Sequence, residues 1–183
     1  MADREMTRAQ RTRQLIFDAA CERFAEVGYE ATTIRSVAKT AGVDPALVIR
    51  YFGSKQGLFD EVAAGIDIVG SALFRAGDAR ELVRTYLEMW QDDQHGPRLR
   101  ALVRAGLGSA HASDRLRQFI FAKFEGFEAL PHFSKDRFPF AGAALLGIAS
   151  GYFLVGSALL EKYTIDEVVD IVAPGIEKIL DMD

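Results

Sequence analysis

Residues 32–58, TTIRSVAKTAGVDPALVIRYFGSKQGL, carry two short helical patterns with a single glycine between them. Thr32 or Thr33 supplies an N-cap oxygen, and Ile34, Val37, Ala38 and Ala41 follow at the i, i+3, i+4, i+7 spacing of a buried helical stripe. Gly42 ends that helix, because a residue without Cβ takes the left-handed conformation at no steric cost, and Val43 plugs the angle between the two helices. Asp44 is the N-cap of the second helix and Pro45 its first residue, where a missing N–H and a fixed φ are harmless. Val48, Tyr51 and Phe52 form one face and leave Ala46, Leu47, Ile49 and Arg50 on the others. Gly53 closes this helix, and Ser54 caps a third through Leu58, Phe59, Val62 and Ile66. The pattern is that of a helix-turn-helix.

The spacing TT-x-R-x-x-A-x-x-AGV-x-P-x-x-x-x-x-x-FGSK-x-x-L resembles the TetR family of bacterial transcriptional regulators. The resemblance extends back through CERFAEVGYEATT at 21–33 and is taken up again by the glycine-rich run 140–160 and the amphipathic helix after it. It implies an all-α chain, with an N-terminal three-helix helix-turn-helix domain at 1–60 and a C-terminal helical ligand-binding and dimerisation domain at 61–183. It also assigns base reading to Pro45, Ala46, Leu47 and Ile49. The chain departs from common family wording at Asp44, where relatives often carry serine, at Leu47, where they carry a small or hydroxyl residue, and at Ile49, where many carry tyrosine.

Working outward, 183 residues with 49% hydrophobic composition supply a sizeable core for one two-part unit. A single cysteine excludes an intramolecular disulfide, and the absence of a basic-then-apolar leader predicts a cytoplasmic protein. The net charge of −4 argues against nucleic acid until it is divided: residues 1–55 hold 9 Lys+Arg against 7 Asp+Glu, so the acidic excess lies wholly in the remainder. DNA affinity must therefore come from a focused surface and from pairing of two copies. The arm at 1–13 carries Arg4, Arg8, Arg11 and Arg13, which suit either phosphates and a minor groove or a solvated helix start. Ile16, Ala20, Phe24 and Val27 mark a long amphipathic helix ending at Gly28, with Cys21 on it as a small buried hydrophobe.

The middle of the chain shows helical periodicity and no alternating strand pattern. Asp78 and Glu81 cap a helix through Leu82, Tyr86, Met89 and Trp90; His95 to Pro97 reads as a break before a short helix from Arg98; and a further helix from Ser113 runs to Pro131. Aromatics at helical spacing are ordinarily core, yet Trp90, Phe119, Phe121, Phe124 and Phe127 exceed what one narrow stripe hides, which is the composition of an apolar pocket between helices. Between Arg137 and Glu161 lie 23 uncharged residues, long enough to cross a bilayer as one helix. Against a membrane span, neither flank has a basic excess or an aromatic belt, and Gly142, Gly147, Gly151 and Gly156 equally suit a subunit interface or a helix packed on both sides. Thr164 and Glu167 form a capping box for a last amphipathic helix containing Val172 and Ile176, which Pro174 should kink.

No catalytic constellation is present in the sequence: His95, His111 and His132 stand apart, no second cysteine offers a metal pair, and no glycine-rich loop follows a strand. The expectation is a non-enzymatic regulator without cofactor, and the rival readings are a membrane-associated helical protein and a ligand-binding module that no longer reads DNA. In the regulator reading, Pro45, Ala46, Leu47 and Ile49 meet base edges of double-stranded DNA and Arg35 and Arg50 reach guanine, while Thr33, Tyr51 and Lys55 hold phosphates. Gly147, Gly151, Val172 and Ile176 lie in a homodimer interface that matches a pseudo-palindromic operator. Trp90, Phe119, Phe124 and Phe127 line the site of a largely apolar small molecule that releases a repressor.

Overall fold

The computed structural model describes residues 7–64, 76–127, 136–158 and 160–180, with the backbone alone at 119–127. Among the described residues every regular element is a helix: α1 (Arg8–Ala31), α2 (Ile34–Ala41), α3 (Pro45–Phe52), α4 (Lys55–Ala64), α5 (Ala79–Gln91), α6 (Gly96–Gly106), α7 (Ala110–Phe127), α8 (Phe138–Phe153) and α9 (Ile165–Leu180). They gather into two compact units, Met1–Ile66 with Pro97–Leu116, and Asp67–Gly96 with Arg117–Asp183.

In the first unit α1 begins about two turns ahead of its apolar stripe, which starts at Ile16. Thr7 accepts the Gln10 N–H, and the Gln10 side chain accepts the Thr7 N–H in return, at 2.7 Å. Arg8, Arg11 and Arg13 are therefore helical, Arg4 lies outside the described residues, and Arg13 pairs with Glu61 while its guanidinium sits 5.0 Å over the Phe52 ring. Gly28, at φ 77°, kinks α1 where the sequence predicts its end, and the helix closes at Ala31. The Thr32 hydroxyl is buried and donates to the Gly28 carbonyl at 2.7 Å, so Thr33 is the residue left to cap α2, exchanging hydrogen bonds with Ser36.

The core of this unit is built on α1 by Ile16, Ala20 and Phe24, to which α2 adds Val37, α3 Val48 and α4 Leu58, Phe59 and Val62. Phe59 stands edge-on to Phe24 at 5.0 Å and to Tyr29 at 5.2 Å, arrangements in which a ring's positive edge meets a negative face. Leu99 and Leu102 of α6 are buried in the same unit. Cys21 is buried too, and loss of water pushes its thiol up to about 12, so it is a packing residue with no thiolate at neutral pH.

In the second unit Asp78 accepts the Glu81 N–H at 2.7 Å, and the Glu81 carboxylate folds back on the Gly77 N–H at 2.8 Å rather than on Asp78 itself. Leu82, Leu87 and Trp90 of α5 are buried, as are Val169, Ile176 and Leu180 of α9, and Arg80–Asp170 and Arg84–Asp166 tie the two helices along their exposed edge. The break predicted at His95 to Pro97 falls earlier, at 92–95: α6 starts at Gly96 and holds Pro97 in its first turn, where the missing N–H costs nothing. The 23-residue uncharged run is not one helix either. α8 stops at Phe153, Gly156 turns back at φ 62°, and no described helix is long and apolar enough to cross a membrane. Only one face of α8 is buried, through Ala141, Leu145 and Ala149. Thr164 and Glu167 form the expected capping box, and α9 runs as one helix through Pro174.

The turn from α3 into α4 admits no side chain at Gly57. Its N–H is held by the Ser54 hydroxyl at 3.0 Å, and a Cβ there would overlap the Phe52 carbonyl oxygen, which cannot retreat because the Phe52 side chain is buried. Gly57→Ala is expected to cost about 1–3 kcal/mol, the range for overpacking, read as a lower urea midpoint with an unchanged m-value.

Candidate nucleic-acid interface

The turn between α2 and α3 is closed by backbone alone. Gly42 is left-handed at φ 66° and donates to the Ala38 and Lys39 carbonyls, and the Val43 N–H reaches Ala38 O at 3.0 Å. One oxygen of Asp44 accepts the Ala46 N–H at 2.7 Å, Pro45 opens α3, and Gly53 stops it at φ 75°. Eight residues are too few for a helix to hold itself in water, so α3 persists because Val48 and Phe52 are buried beneath it.

That packing leaves the opposite side bare. Pro45, Ala46 and Arg50 are exposed, and so is Ile49, a large apolar residue with 47% of its surface in water. Thr33 and Arg35 of the preceding segment are exposed, and Leu47 and Tyr51 are half-buried. Lys39, also exposed, was missed by the sequence reading although it stands four residues after Arg35 and so shares its helical face. Lys55 is half-buried: its ammonium donates to the Tyr29 carbonyl at 2.9 Å and to Glu30 at 3.5 Å, and lies 4.2 Å above the Tyr29 ring. It thereby adds a second bond to the Tyr29 carbonyl, which also accepts the Thr32 N–H at 3.2 Å, and fixes α4 against the C-terminal end of α1.

A second cluster in this unit joins residues more than fifty positions apart. Asp60 of α4 accepts a two-pronged bond from Arg115 of α7, at 2.6 and 2.8 Å, and faces His111 at 3.3 Å. Spacing alone gives no sign of it. The His111 ring packs 5.6 Å from Tyr29, which makes it a packing and ion-pair residue. His95 bonds to Asp92 at 2.6 Å in the turn before α6; the His95 N–H and imidazole hold the Asp92 carboxyl below its usual range. His132 lies outside the described residues, among which no group of three or more His, Cys, Asp or Glu is placed to hold a metal.

The remaining predicted positions belong to the second unit. Trp90 is fully buried and stacked on Phe153 at 5.8 Å, with Tyr86 at 6.3 Å; the side chains of Phe119, Phe124 and Phe127 lie outside those described. Gly147 is exposed and Val172 half-buried, whereas Ile176 is buried in its own chain. A Cβ on Gly151 would press on Leu160 of the same chain at 3.0 Å.

A family model described as bacterial regulatory proteins, tetR family, matches residues 16–62, and one described as a tetracyclin repressor-like C-terminal domain matches 77–180, more than half of the chain. The chain belongs to the TetR family of transcriptional regulators. Among curated relatives, the HTH-type transcriptional regulator BetI of Rhizobium meliloti is 31% identical over 114 residues, which are 59% of this chain and 56% of that protein, so the match spans about half the relative's length. BetI of Burkholderia lata is 25% identical over 178 residues, 84% of each chain. The solved structure of Salmonella enterica GusR shares the fold with a TM-score of 0.69 at 18% identity, over 97% of this chain and 99% of that one. A TetR-family regulator from Streptomyces coelicolor A3 does so at 0.62 and 23%, over 98% and 99%. The first TetR model covers α2, α3, α4 and most of α1, which is the span of the bare face just described, and the family is non-enzymatic.

The bonds made by Lys55 give that residue a structural duty. Lys55→Ala is expected to lower unfolding stability by about 1–2 kcal/mol, as loss of hydrogen bonds from a charged donor does, in a denaturant titration without DNA.

Proposed function

We propose that this chain acts as a homodimer that places the α3 helix of each copy in the major groove of a pseudo-palindromic operator, and that a largely apolar small molecule bound in the 61–183 part releases it, as a repressor is released. The observation that carries the DNA reading is the bare side of α3: Pro45, Ala46, Ile49 and Arg50 are exposed at the end of a helix whose other side is locked into the core. Apolar groups there suit thymine methyls, and Arg35 and Arg50 suit guanine acceptors. Thr33, Tyr51 and Lys39 fall to phosphates, and Lys55, expected from sequence to join them, instead braces α4 through the Tyr29 and Glu30 carbonyls. The HTH-type transcriptional regulator BetI, 31% identical over 114 residues, supports the same reading.

Pairing of two copies is supported by apolar residues that one chain leaves in water: Phe140 on α8 at 69% exposure and Ile171 on α9 at 65%, beside exposed Gly147 and half-buried Val172. Two apolar helices per copy, α8 and α9, build a four-helix contact across a two-fold axis. Because Gly151 is closed in by Leu160, the clean probe of this contact is Ile171. Ligand binding is supported by the aromatic cluster of Tyr86, Trp90, Tyr152 and Phe153, and α7 carries Phe119, Phe124 and Phe127.

Selection of bound fragments from random duplex DNA tests the proposal. Arg35→Ala is expected to lose affinity and relax preference at one position per half-site, whereas Lys39→Ala weakens all sequences alike and lowers the salt slope by about 1. Ile171→Asp is expected to sediment as a monomer with only weak, sequence-independent binding; wild type sedimenting as a monomer at micromolar concentration would remove the dimer. Release by ligand with a fifty-fold loss of operator affinity needs about 2.3 kcal/mol of differential binding, and operator must then weaken the ligand by the same factor. A compound that binds tightly and leaves operator affinity unchanged argues against release and leaves the DNA reading standing.

A further inference from the structure

The N-cap of α3 presents an unusual group for a surface that must approach a polyanion. Asp44 is exposed at the leading tip of the helix, next to exposed Pro45 and Ala46, and is the one acidic residue of the segment 32–58. One of its oxygens is committed to the Ala46 N–H at 2.7 Å, which fixes the carboxylate's orientation; the other has no partner among the described residues. Serine, threonine or asparagine would cap as well without bringing a negative charge toward phosphates. We propose that Asp44 is a specificity-determining residue that accepts a hydrogen bond from the 4-amino group of a cytosine, once in each half-site. This rests on the DNA-reading role proposed above.

The chemistry of the groove narrows the choice to that base. The residues at the N-terminal end of a recognition helix are those that reach base edges, and a carboxylate can only accept. Guanine offers N7 and O6, both acceptors, and thymine offers O4 and a methyl group, so neither gives Asp44 a partner. Adenine has a donor at N6 but an acceptor beside it at N7, which repels the carboxylate. Cytosine presents its 4-amino donor flanked by a C–H. With Ile49 and Ala46 set for thymine methyls, a single fixed acceptor would divide the pyrimidines: apolar contacts favour thymine where they fall, and Asp44 demands cytosine at its own step.

Asp44→Asn separates this role from capping. Its amide oxygen keeps the Ala46 N–H, which turns the NH₂ outward and sets a donor against the cytosine donor. Full-length wild type and Asp44→Asn are each used to select bound duplexes from random DNA, and both are titrated on the wild-type sequence with 2-pyrimidinone, which lacks the 4-amino group, in place of the assigned cytosines. Wild type is expected to enrich cytosine at one symmetric position and to lose about tenfold or more in affinity on the analogue. Asp44→Asn is expected to lose the cytosine preference, to change less than twofold on the analogue, and to melt at the wild-type temperature; Asp44→Ser serves the same comparison if the amide variant folds poorly. An unchanged base preference in the variant, equal loss by both proteins on the analogue, or a wild-type motif without a fixed cytosine overturns the assignment while leaving the DNA reading intact. A wild type that enriches no sequence brings down the DNA reading itself.

Discussion

An eight-residue helix is below the length at which backbone hydrogen bonds offset the cost of nucleation, so α3 exists only as long as something holds its inner side. Val48 and Phe52 provide that hold, and two glycines with positive φ, Gly42 and Gly53, give the chain its sharp entry and exit. Everything proposed for the outer face depends on this. Ile49 and Arg50 point away because Val48 and Phe52 point in, and a helix without a buried anchor would not present a fixed set of groups to any partner.

The anchor is itself supported from α1 and α4. Phe59 meets Phe24 and Tyr29 edge to face while those two rings stack on each other, Lys55 spans from α4 to carbonyls in the last turn of α1, and Arg13 reaches from α1 to Glu61 and the Phe52 ring. The aromatic contacts are buried and insensitive to salt, whereas the Arg13–Glu61 pair is exposed and contributes little by itself. Asp60 extends the support to Arg115 and His111 of α7 in the same unit, through a fork of two charge-assisted bonds that a single lysine would not reproduce. Rigidity around α4 therefore comes from shape and from one well-directed ion pair, and the recognition surface is kept free of both.

The chain's electrostatics follow the same division of labour. A net −4 is no obstacle when residues 32–58 hold Asp44 as their one acidic residue against exposed Arg35, Lys39 and Arg50 where α2 and α3 are bare. The same economy leaves Phe140 and Ile171 uncovered on α8 and α9: such residues are unfavourable on a lone chain and become useful when a second apolar face is supplied.

Much of this was legible in the order of residues, because the signals concerned are local. Caps, glycine stops and the 3.6-residue stripe act over three or four positions, so Thr33, Gly42, Asp44, Gly53, Ser54 and the Thr164–Glu167 box could be assigned before any packing was known. Where a local signal was ambiguous, the tertiary structure decided. Thr32 and Thr33 cap equally well in isolation, and only burial of the Thr32 hydroxyl on the Gly28 carbonyl separates them. Pro97 both ends and begins helices, and packing chose the second. The uncharged run at 138–160 has the length of a membrane span, but Gly156 turns it after sixteen helical residues. Lys55 looked like a free cation until α1 was brought beside it, and Asp60 gave no sign of Arg115 fifty-five residues away. Sequence by itself determined which segments are helices and which face of α3 is outward, since those follow from neighbours along the chain; which charges are free and which are spent inside depended on groups that meet only when the chain folds.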